Sequence, residues 1–352
     1  MTGAFSIALL LAGLAAVPVG RWLDRHGPRL LMTVGSCIGS LLVVAWAFVG
    51  DVRQFYLVWA AIGLTMAALL YDPAFATITA WFEHQRMRAL TAVTLMAGLA
   101  STIFIPLAGW LVTTVGWRQA LVVLAAILAL GTILPHALVL RSPPSPTPHA
   151  PIAPGLSLGE ALRHASFRWL VGGFWLTTLA SIGVGVHLVP YLQDRGYDPA
   201  FAAYATGLIG AMQVVARLVL APFGDRASPR ALAAGILAMQ PLAMLVLLVV
   251  RDTPGVFAFV VLFGAARGAS TLVRPVLLAV LYGRAEYASI AGVLQMSLSL
   301  AQALAPVSVG AAYDVLSTYE PILWALLVIS SLAVLAILPA TRSRQVQSEF
   351  KQ

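Results

Sequence analysis

One lysine, one cysteine and no asparagine occur in the 352 residues. A lone cysteine, Cys37, excludes an intrachain disulfide and any cysteine-cluster metal centre. With its single lysine at position 351, the chain has no Gly-x-x-x-x-Gly-Lys-Ser/Thr loop and no P-loop route to ATP hydrolysis. The six histidines are scattered, none in a His-x-x-x-His pair, and no nucleophile, base and acid fall together at depth. These absences argue against an enzyme, and no cofactor or metal is expected.

Charge is scarce as well. Asp, Glu, Lys and Arg make up 10% of the chain and hydrophobic residues 60%, whereas a soluble domain carries roughly 25% charge. The chain therefore reads as an integral membrane protein. The preference for arginine over lysine, with abundant alanine, suggests a GC-rich bacterial genome and hence a bacterial inner membrane. No cleavable signal peptide is expected, because no basic residue precedes the opening run Gly3 to Gly20, which feeds directly into a charged loop, Arg21 to Arg29.

Apolar runs long enough for a ~30 Å hydrocarbon core lie at about 3–20, 29–49, 54–82, 89–115 and 118–140. After a polar gap they resume at about 169–192, 200–223, 229–250, 254–282, 287–315 and 321–340. No alternating strand pattern of a barrel appears, so the spans must be helices. The expectation is an all-α membrane protein with eleven transmembrane helices, five before the gap and six after. Its parts are an N-terminal bundle over 1–140, a linker over 141–168, a C-terminal bundle over 169–341 and a tail over 342–352. Six prolines between Pro143 and Pro154 make the linker stiff and solvated. Ser157 and Glu160 then form a capping-box pattern ahead of a short surface helix.

Arginine placement orients the spans. One side holds Arg21, Arg25, Arg29, Arg86, Arg88, Arg141, Arg163, Arg168, Arg226, Arg230, Arg274, Arg284, Arg342, Arg344 and Lys351. The other holds only Arg53, Arg118, Arg195 and Arg251. The rich side, with the C-terminus, is expected in the cytoplasm and the N-terminus outside. The net charge of +8 is thus a topology signal, and nucleic acid is not an expected partner. The lipid bilayer is, and the chain is expected to be a monomer.

The two halves repeat. Asp24, Arg25, Pro28 and Arg29 recur as Asp225, Arg226, Pro229 and Arg230, each 201 positions on, and Asp72-Pro73 corresponds to Arg274-Pro275 at an offset of 202. A parallel repeat of this length indicates two related bundles about an axis along the membrane normal, with a solute site between them near mid-membrane.

Here a family resemblance enters. Gly20-x-x-x-Asp24-Arg25-x-Gly27-x-Arg29 resembles the signature loop of the major facilitator superfamily, between its second and third helices. Asp225-Arg226-x-Ser228-Pro229-Arg230 resembles the degenerate copy after the eighth. The resemblance implies a two-bundle fold that works by alternating access. It covers the whole chain but leaves the family's first helix unaccounted for, so a late gene start or a fragment is expected. Physically, Asp24 at a helix C-terminus is disfavoured by the macrodipole and should seek Arg25, Arg29 or another helix's N-terminal end. Gly27 permits the sharp turn. In the family this contact latches the halves on the cytoplasmic side; a solvated turn with a weak surface pair is the bland alternative.

Candidate site residues are polar groups at membrane depth. Arg267 lies near the middle of 254–282, where a guanidinium costs at least ~2.5–3.5 kcal/mol; Gly264, Thr271 and Arg274 share its face. On 200–223, Thr206, Gly210, Gln213 and Arg217 share another. The segment His187 to Gly196, followed by Gln213-x-x-x-Arg217, resembles the monocarboxylate-transporter-like branch. In that branch an arginine on the eighth helix binds the substrate carboxylate, and Arg217 matches it. An acid usually stands four positions earlier, where this chain has Gln213, so proton coupling at that position lacks its usual group. Independently of family, a guanidinium favours an anionic solute. The alternative for Arg217 is snorkelling to the cytoplasmic surface or an internal pair. Arg267, deeper, lines a cavity or is paired internally.

Asp72 is the acid set well inside a span. It pairs with Arg274 or Arg267 on closure, carries a coupling proton, or holds a static pair beside kinks at Pro73 and Pro275. Gln295, Ser299, Gln302 and Pro306 form a further stripe of solute contacts or helix–helix hydrogen bonds. His187, near the outer end of its helix, reads as interfacial. Gly264-x-x-x-Gly268 is explained by close helix packing alone. Pro106-Leu107-Ala108-Gly109 is similar to the antiporter motif of the family's fifth helix, with Ile105 and Trp110 replacing two of its glycines. The resulting expectation is a secondary transporter for a small organic anion such as a monocarboxylate. The alternatives are an efflux permease for lipophilic or cationic compounds, in which Trp175, Phe174 and Tyr71 matter more, and a truncated membrane protein that does not transport.

Overall fold

A backbone in hydrocarbon must satisfy its own N–H and C=O groups, and helices cover all eleven apolar runs. The structure, a computed structural model, describes residues 2–82, 85–140, 155–220 and 228–341. Among them are α1 (Thr2–His26), α2 (Pro28–Ala47), α3 (Val52–Leu69), α4 (Tyr71–Trp81), α5 (Arg86–Val115) and α6 (Trp117–Leu138). The short α7 (Leu158–Arg163) precedes α8 (Ala165–Asp194), α9 (Pro199–Leu220), α10 (Pro229–Val249), α11 (Thr253–Tyr282), α12 (Tyr287–Leu316) and α13 (Glu320–Ala340). Ten segments, with α3 and α4 counted together, are long and apolar enough to cross a membrane; α5, a helix of 30 residues, covers the run at 89–115. The protein is a multi-pass, all-α membrane protein. Large apolar side chains such as Leu130, 70% exposed on α6, point outward, as expected of helices solvated by lipid.

Two local expectations need correcting. The charged loop expected over Arg21 to Arg29 is mostly helix: α1 runs on to His26 and α2 starts at Pro28. Only Gly27 intervenes, at φ 74°, in the left-handed region that glycine enters without a Cβ penalty. Pro73 does more than kink its span. Without an N–H, and with its ring set against the Leu69 carbonyl, it ends α3 at Leu69, and α4 restarts at Tyr71. Leu70, at the break, is 51% exposed. By contrast α11 continues through Pro275; burial does not separate the two cases, since Pro73 and Pro275 are both buried.

The chain gathers into two compact units. The first comprises Met1–His84, Ala92–Leu158 and Gly283–Ser299; the second comprises Gln85–Thr91, Gly159–Tyr282 and Leu300–Gln352. The N-terminal part of α12 therefore packs with the first unit and the rest of α12 with the second.

In the first unit, glycines bring helices into backbone contact. A Cβ on Gly20 would lie 2.2 Å from the Ala288 carbonyl oxygen, and one on Gly292 would lie 2.4 Å from that of Ala16. At Gly13 a Cβ would meet the Ser299 side chain at 2.4 Å. These three positions make one seam between α1 and α12. Polar pins join α2 and α6: Ser36 Oγ lies 2.8 Å from His136 Nδ1, and Arg118 Nε donates to the Ala47 carbonyl at 3.0 Å. The chain leading into α7 is tied down beside α12, with a backbone bridge between Gly155 and Gly283. The Leu158 N–H donates to Glu286 Oε2 at 2.7 Å. The helix expected after Ser157 is present, and a distant carboxylate holds its first residue.

In the second unit, Val184, Leu188, Phe259, Phe263, Leu247 and Leu326 belong to one buried core. The α9–α11 crossing is as close as the α1–α12 seam, because Gly264 and Gly268 face the α9 backbone. A Cβ on Gly268 would lie 2.4 Å from the Gln213 carbonyl oxygen, and one on Gly264 would lie 2.8 Å from that of Ile209.

Candidate functional site

Arg267 stands fourteen residues past Thr253, the first residue of α11, or ~21 Å along it at 1.5 Å per residue. Its guanidinium carbon is 5.9 Å from the centroid of the Phe263 ring. On the α8 side, an ideal Cβ on Gly185 would lie 3.0 Å from Arg267 Nη1. Among the described residues Arg267 makes no hydrogen bond or ion pair. A guanidinium has five N–H donors and no acceptor, so this is a strong anion-binding group held at depth with its donors uncommitted.

The α9 clamp fixes where Arg267 can be. Gly264, expected to share the polar face, and Gly268 are both filled by α9 backbone, so they pack and do not line a path. Gln213 meets α11 through its backbone at Gly268. Thr271 donates its hydroxyl to the Gly268 carbonyl at 2.7 Å, leaving its oxygen lone pairs as acceptors. Arg217, in the last turn of α9, is only 6% exposed. Thr206 likewise spends its hydroxyl inside α9, on the Ala202 carbonyl.

On α12 the expected stripe divides. Gln295 Nε2 donates to Ser299 Oγ at 3.4 Å, and Ser299 is pressed against Gly13 of α1. At Ser299 the stripe meets another helix. Gln302 is half-buried. The Pro306 carbonyl accepts from His187 Nε2 at 3.3 Å, while His187 Nδ1 lies 3.2 Å from the Tyr319 hydroxyl. A carbonyl only accepts, so Nε2 is the donor to Pro306, and Nδ1 shares a hydrogen bond with the Tyr319 hydroxyl. His187 thus pins α8 to α12 and to the start of α13. Asp72 sits half-buried in the first turn of α4, and Arg274, half-buried, immediately precedes Pro275 on α11. Phe174 belongs to the core at 3% exposure, whereas Tyr71 is 37% exposed.

The signature residues cluster at the end of α1. The Asp24 carboxylate accepts from the Ala288 N–H at 2.9 Å and the Ser289 N–H at 2.7 Å. Of the partners expected for it, Asp24 takes the N-terminal end of another helix, α12, where the macrodipole and unfilled N–H groups favour an anion. Arg21, Arg25 and Arg29 are exposed, and Gly20 makes room for the α12 backbone. In the second copy, Asp225 and Arg226 lie outside the described residues; Arg230 is exposed at the start of α10. The side chains of Ile105 and Pro106 also lie outside them.

Sequence reasoning missed two residues and the partners of a third. Gly185 looked like one glycine among several on α8. Glu286 directly precedes α12, a position where an acid is a recognisable signal. The bonds of His187 to Pro306 and Tyr319 span more than a hundred residues and leave no local trace.

The family model of the Major Facilitator Superfamily matches residues 1–250. Monocarboxylate transporter 13 of Bos taurus is 29% identical over 314 residues, covering 86% of this chain and 71% of that protein. Monocarboxylate transporter 11 of Homo sapiens is 33% identical over 224 residues, covering 60% of this chain. The chain spans only 45% of that relative's length. Among solved structures, FucP in its outward conformation superposes with a TM-score of 0.75 at 14% identity, over 97% of this chain and 89% of that one. The human organic anion transporter MFSD10 gives a TM-score of 0.77 at 16% identity, over 95% and 82%. Both likenesses show the fold. With the matched family model spanning most of its length, and the Asp24 loop in place, the chain belongs to the Major Facilitator Superfamily.

Proposed function

We propose that the protein is a secondary transporter that carries a small organic anion, a monocarboxylate in the first instance, across the membrane by alternating access. The observation that carries this reading is Arg267: a guanidinium deep in a membrane helix with no hydrogen bond or ion pair among the described residues. Placing that charge at depth costs at least ~2.5–3.5 kcal/mol, and a carboxylate that takes its donors two at a time offsets the cost. The names of the curated relatives, monocarboxylate transporters 13 and 11, point to the same solute class. Arg217 is a second anion contact in this reading, with Gln213, Thr271, Gln295 and Gln302 supplying polar contacts along the way.

Asp72 and Arg274 serve coupling or gating, and a proton on Asp72 is the coupling ion. Asp24 at the end of α12 forms the cytoplasmic latch, made in one state and broken in the other. The arginine-rich side, with the C-terminus, faces the cytoplasm of a bacterium, and the protein acts as a monomer.

Uptake of labelled lactate into proteoliposomes tests the reading. Removing one partner of a desolvated charge pair costs ~2 kcal/mol or more, about 30-fold in affinity. Arg267→Gln should therefore abolish saturable uptake while a neutral solute of similar size stays untransported throughout. Uptake by Arg267→Gln equal to that of the parent protein would rule out the anion role.

A further inference from the structure

Gly185 is the residue that faces Arg267. A glycine inside a membrane helix loses more backbone freedom on folding than any other residue, so its presence at a given position calls for a reason. Two residues earlier, Gly183 has an ordinary one: a Cβ there would meet Val309 and Leu326 side chains at 3.1 and 3.3 Å. Gly185 differs. Among the described residues beyond its own helix turn, the one atom within 4 Å of its Cβ position is Arg267 Nη1, at 3.0 Å. Among the described residues no other helix's backbone and no core side chain calls for glycine at this point; what it adjoins is the movable end of a guanidinium side chain.

The other flank of α11 is closed. Gly264 and Gly268 are filled by α9, and the Phe263 ring lies on the guanidinium's own helix one turn away. Arg267 therefore cannot retreat toward α9 when space over α8 is taken. A ligand that reaches its Nη1 must share the volume left by the missing Gly185 side chain.

We infer that Gly185 sets the size of the anion that Arg267 accepts: a carboxylate docks on the guanidinium and its substituent lies over the bare α8 backbone at Gly185. This deepens the reading of Arg267 as an anion site and rests on it. The ligand class is a carboxylate whose substituent fits the space of a missing side chain. Adding a methyl group at 185 should cost bulky carboxylates more than small ones, and a valine more again.

The test uses the purified protein in detergent, with acetate, lactate and benzoate as probes and ligand-dependent thermal stabilisation as the readout. Gly185→Ala and Gly185→Val are compared with Gly207→Ala, whose Cβ position has no atom of a neighbouring element within 4 Å among the described residues. The expected result is a change of about fivefold or more in the benzoate-to-acetate ratio of apparent Kd for Gly185→Ala, larger for Gly185→Val, and none for Gly207→Ala. The ligand-free melting temperature of Gly185→Ala should hold or rise, since alanine is the better helix former and only the end of a flexible side chain has to move. A merely structural glycine would instead show a lowered melting temperature and an unchanged ratio. Arg267→Gln separates the two claims. If carboxylates stabilise the parent and Arg267→Gln equally, or stabilise neither, the anion site itself is wrong. If stabilisation needs Arg267 but the size ratio is the same in both Gly185 variants, only the inference about Gly185 is overturned.

Discussion

The Asp24 carboxylate accepts the backbone N–H of Ser289 at 2.7 Å, 265 residues away in sequence. With the Ala288 N–H on its other oxygen at 2.9 Å, it does for α12 what an N-cap side chain does for its own helix. An acid at the unfavourable end of α1 becomes favourable by borrowing the positive end of α12.

Replacing Asp24 by asparagine removes the charge and leaves one oxygen to accept from two N–H groups. Loss of an N-cap interaction costs ~1 kcal/mol. The purified Asp24→Asn protein should melt a few degrees lower, by an amount that shrinks at high salt. An unchanged melting temperature would mean that the contact contributes nothing to the stability of this state.

The glycine seam makes a sharper pair. Gly20→Ala places a Cβ 2.2 Å from the Ala288 carbonyl oxygen, so backbone must move; overpacking of this kind costs ~1–3 kcal/mol. Gly131→Ala, in α6 with no atom of a neighbouring element within 4 Å of its Cβ position among the described residues, should be neutral or stabilising by up to ~1 kcal/mol. Melting curves of the two variants measured side by side check both signs.

Glu286 holds the first residue of α7 from the loop before α12. Glu286→Ala frees the Leu158 N–H, and the short helix loses an anchor that its six residues do not replace, since isolated helices under ~12 residues are marginal. Amide hydrogen exchange over 155–163 should quicken, while exchange over α13 stays as it was. Unaltered protection of 155–163 would show that the Gly155–Gly283 bridge suffices.

If Asp72 carries the coupling proton, Asp72→Asn should flatten the dependence of lactate uptake on external pH and keep binding. A parental pH profile at parental rates would assign Asp72 to a static role.

The spans were legible because hydrocarbon leaves a chain no choice but helix, and runs of eighteen or more apolar residues state that locally. The signature motif likewise announced Asp24 and Gly27. The course of α1 past Arg21 and Asp24 was not legible, because charge reads as loop until the bonds from Asp24 to α12 are seen. Nor was the break at Leu70: Pro73 and Pro275 are both buried inside apolar spans, yet the helix stops before one and runs through the other. The stripe on α12 left two readings open for a related reason: Ser299 is polar but sits against Gly13 of α1, nearly three hundred residues earlier. Spacing reveals which residues share a face; it does not reveal what that face meets.

The most direct test of the account is carboxylate-dependent thermal stabilisation of the purified protein, with Arg267→Gln and Arg217→Gln alongside. The expected result is stabilisation of the parent by lactate, lost in Arg267→Gln and weakened in Arg217→Gln. Stabilisation by lipophilic cations alone, indifferent to both arginines, would contradict the anion site.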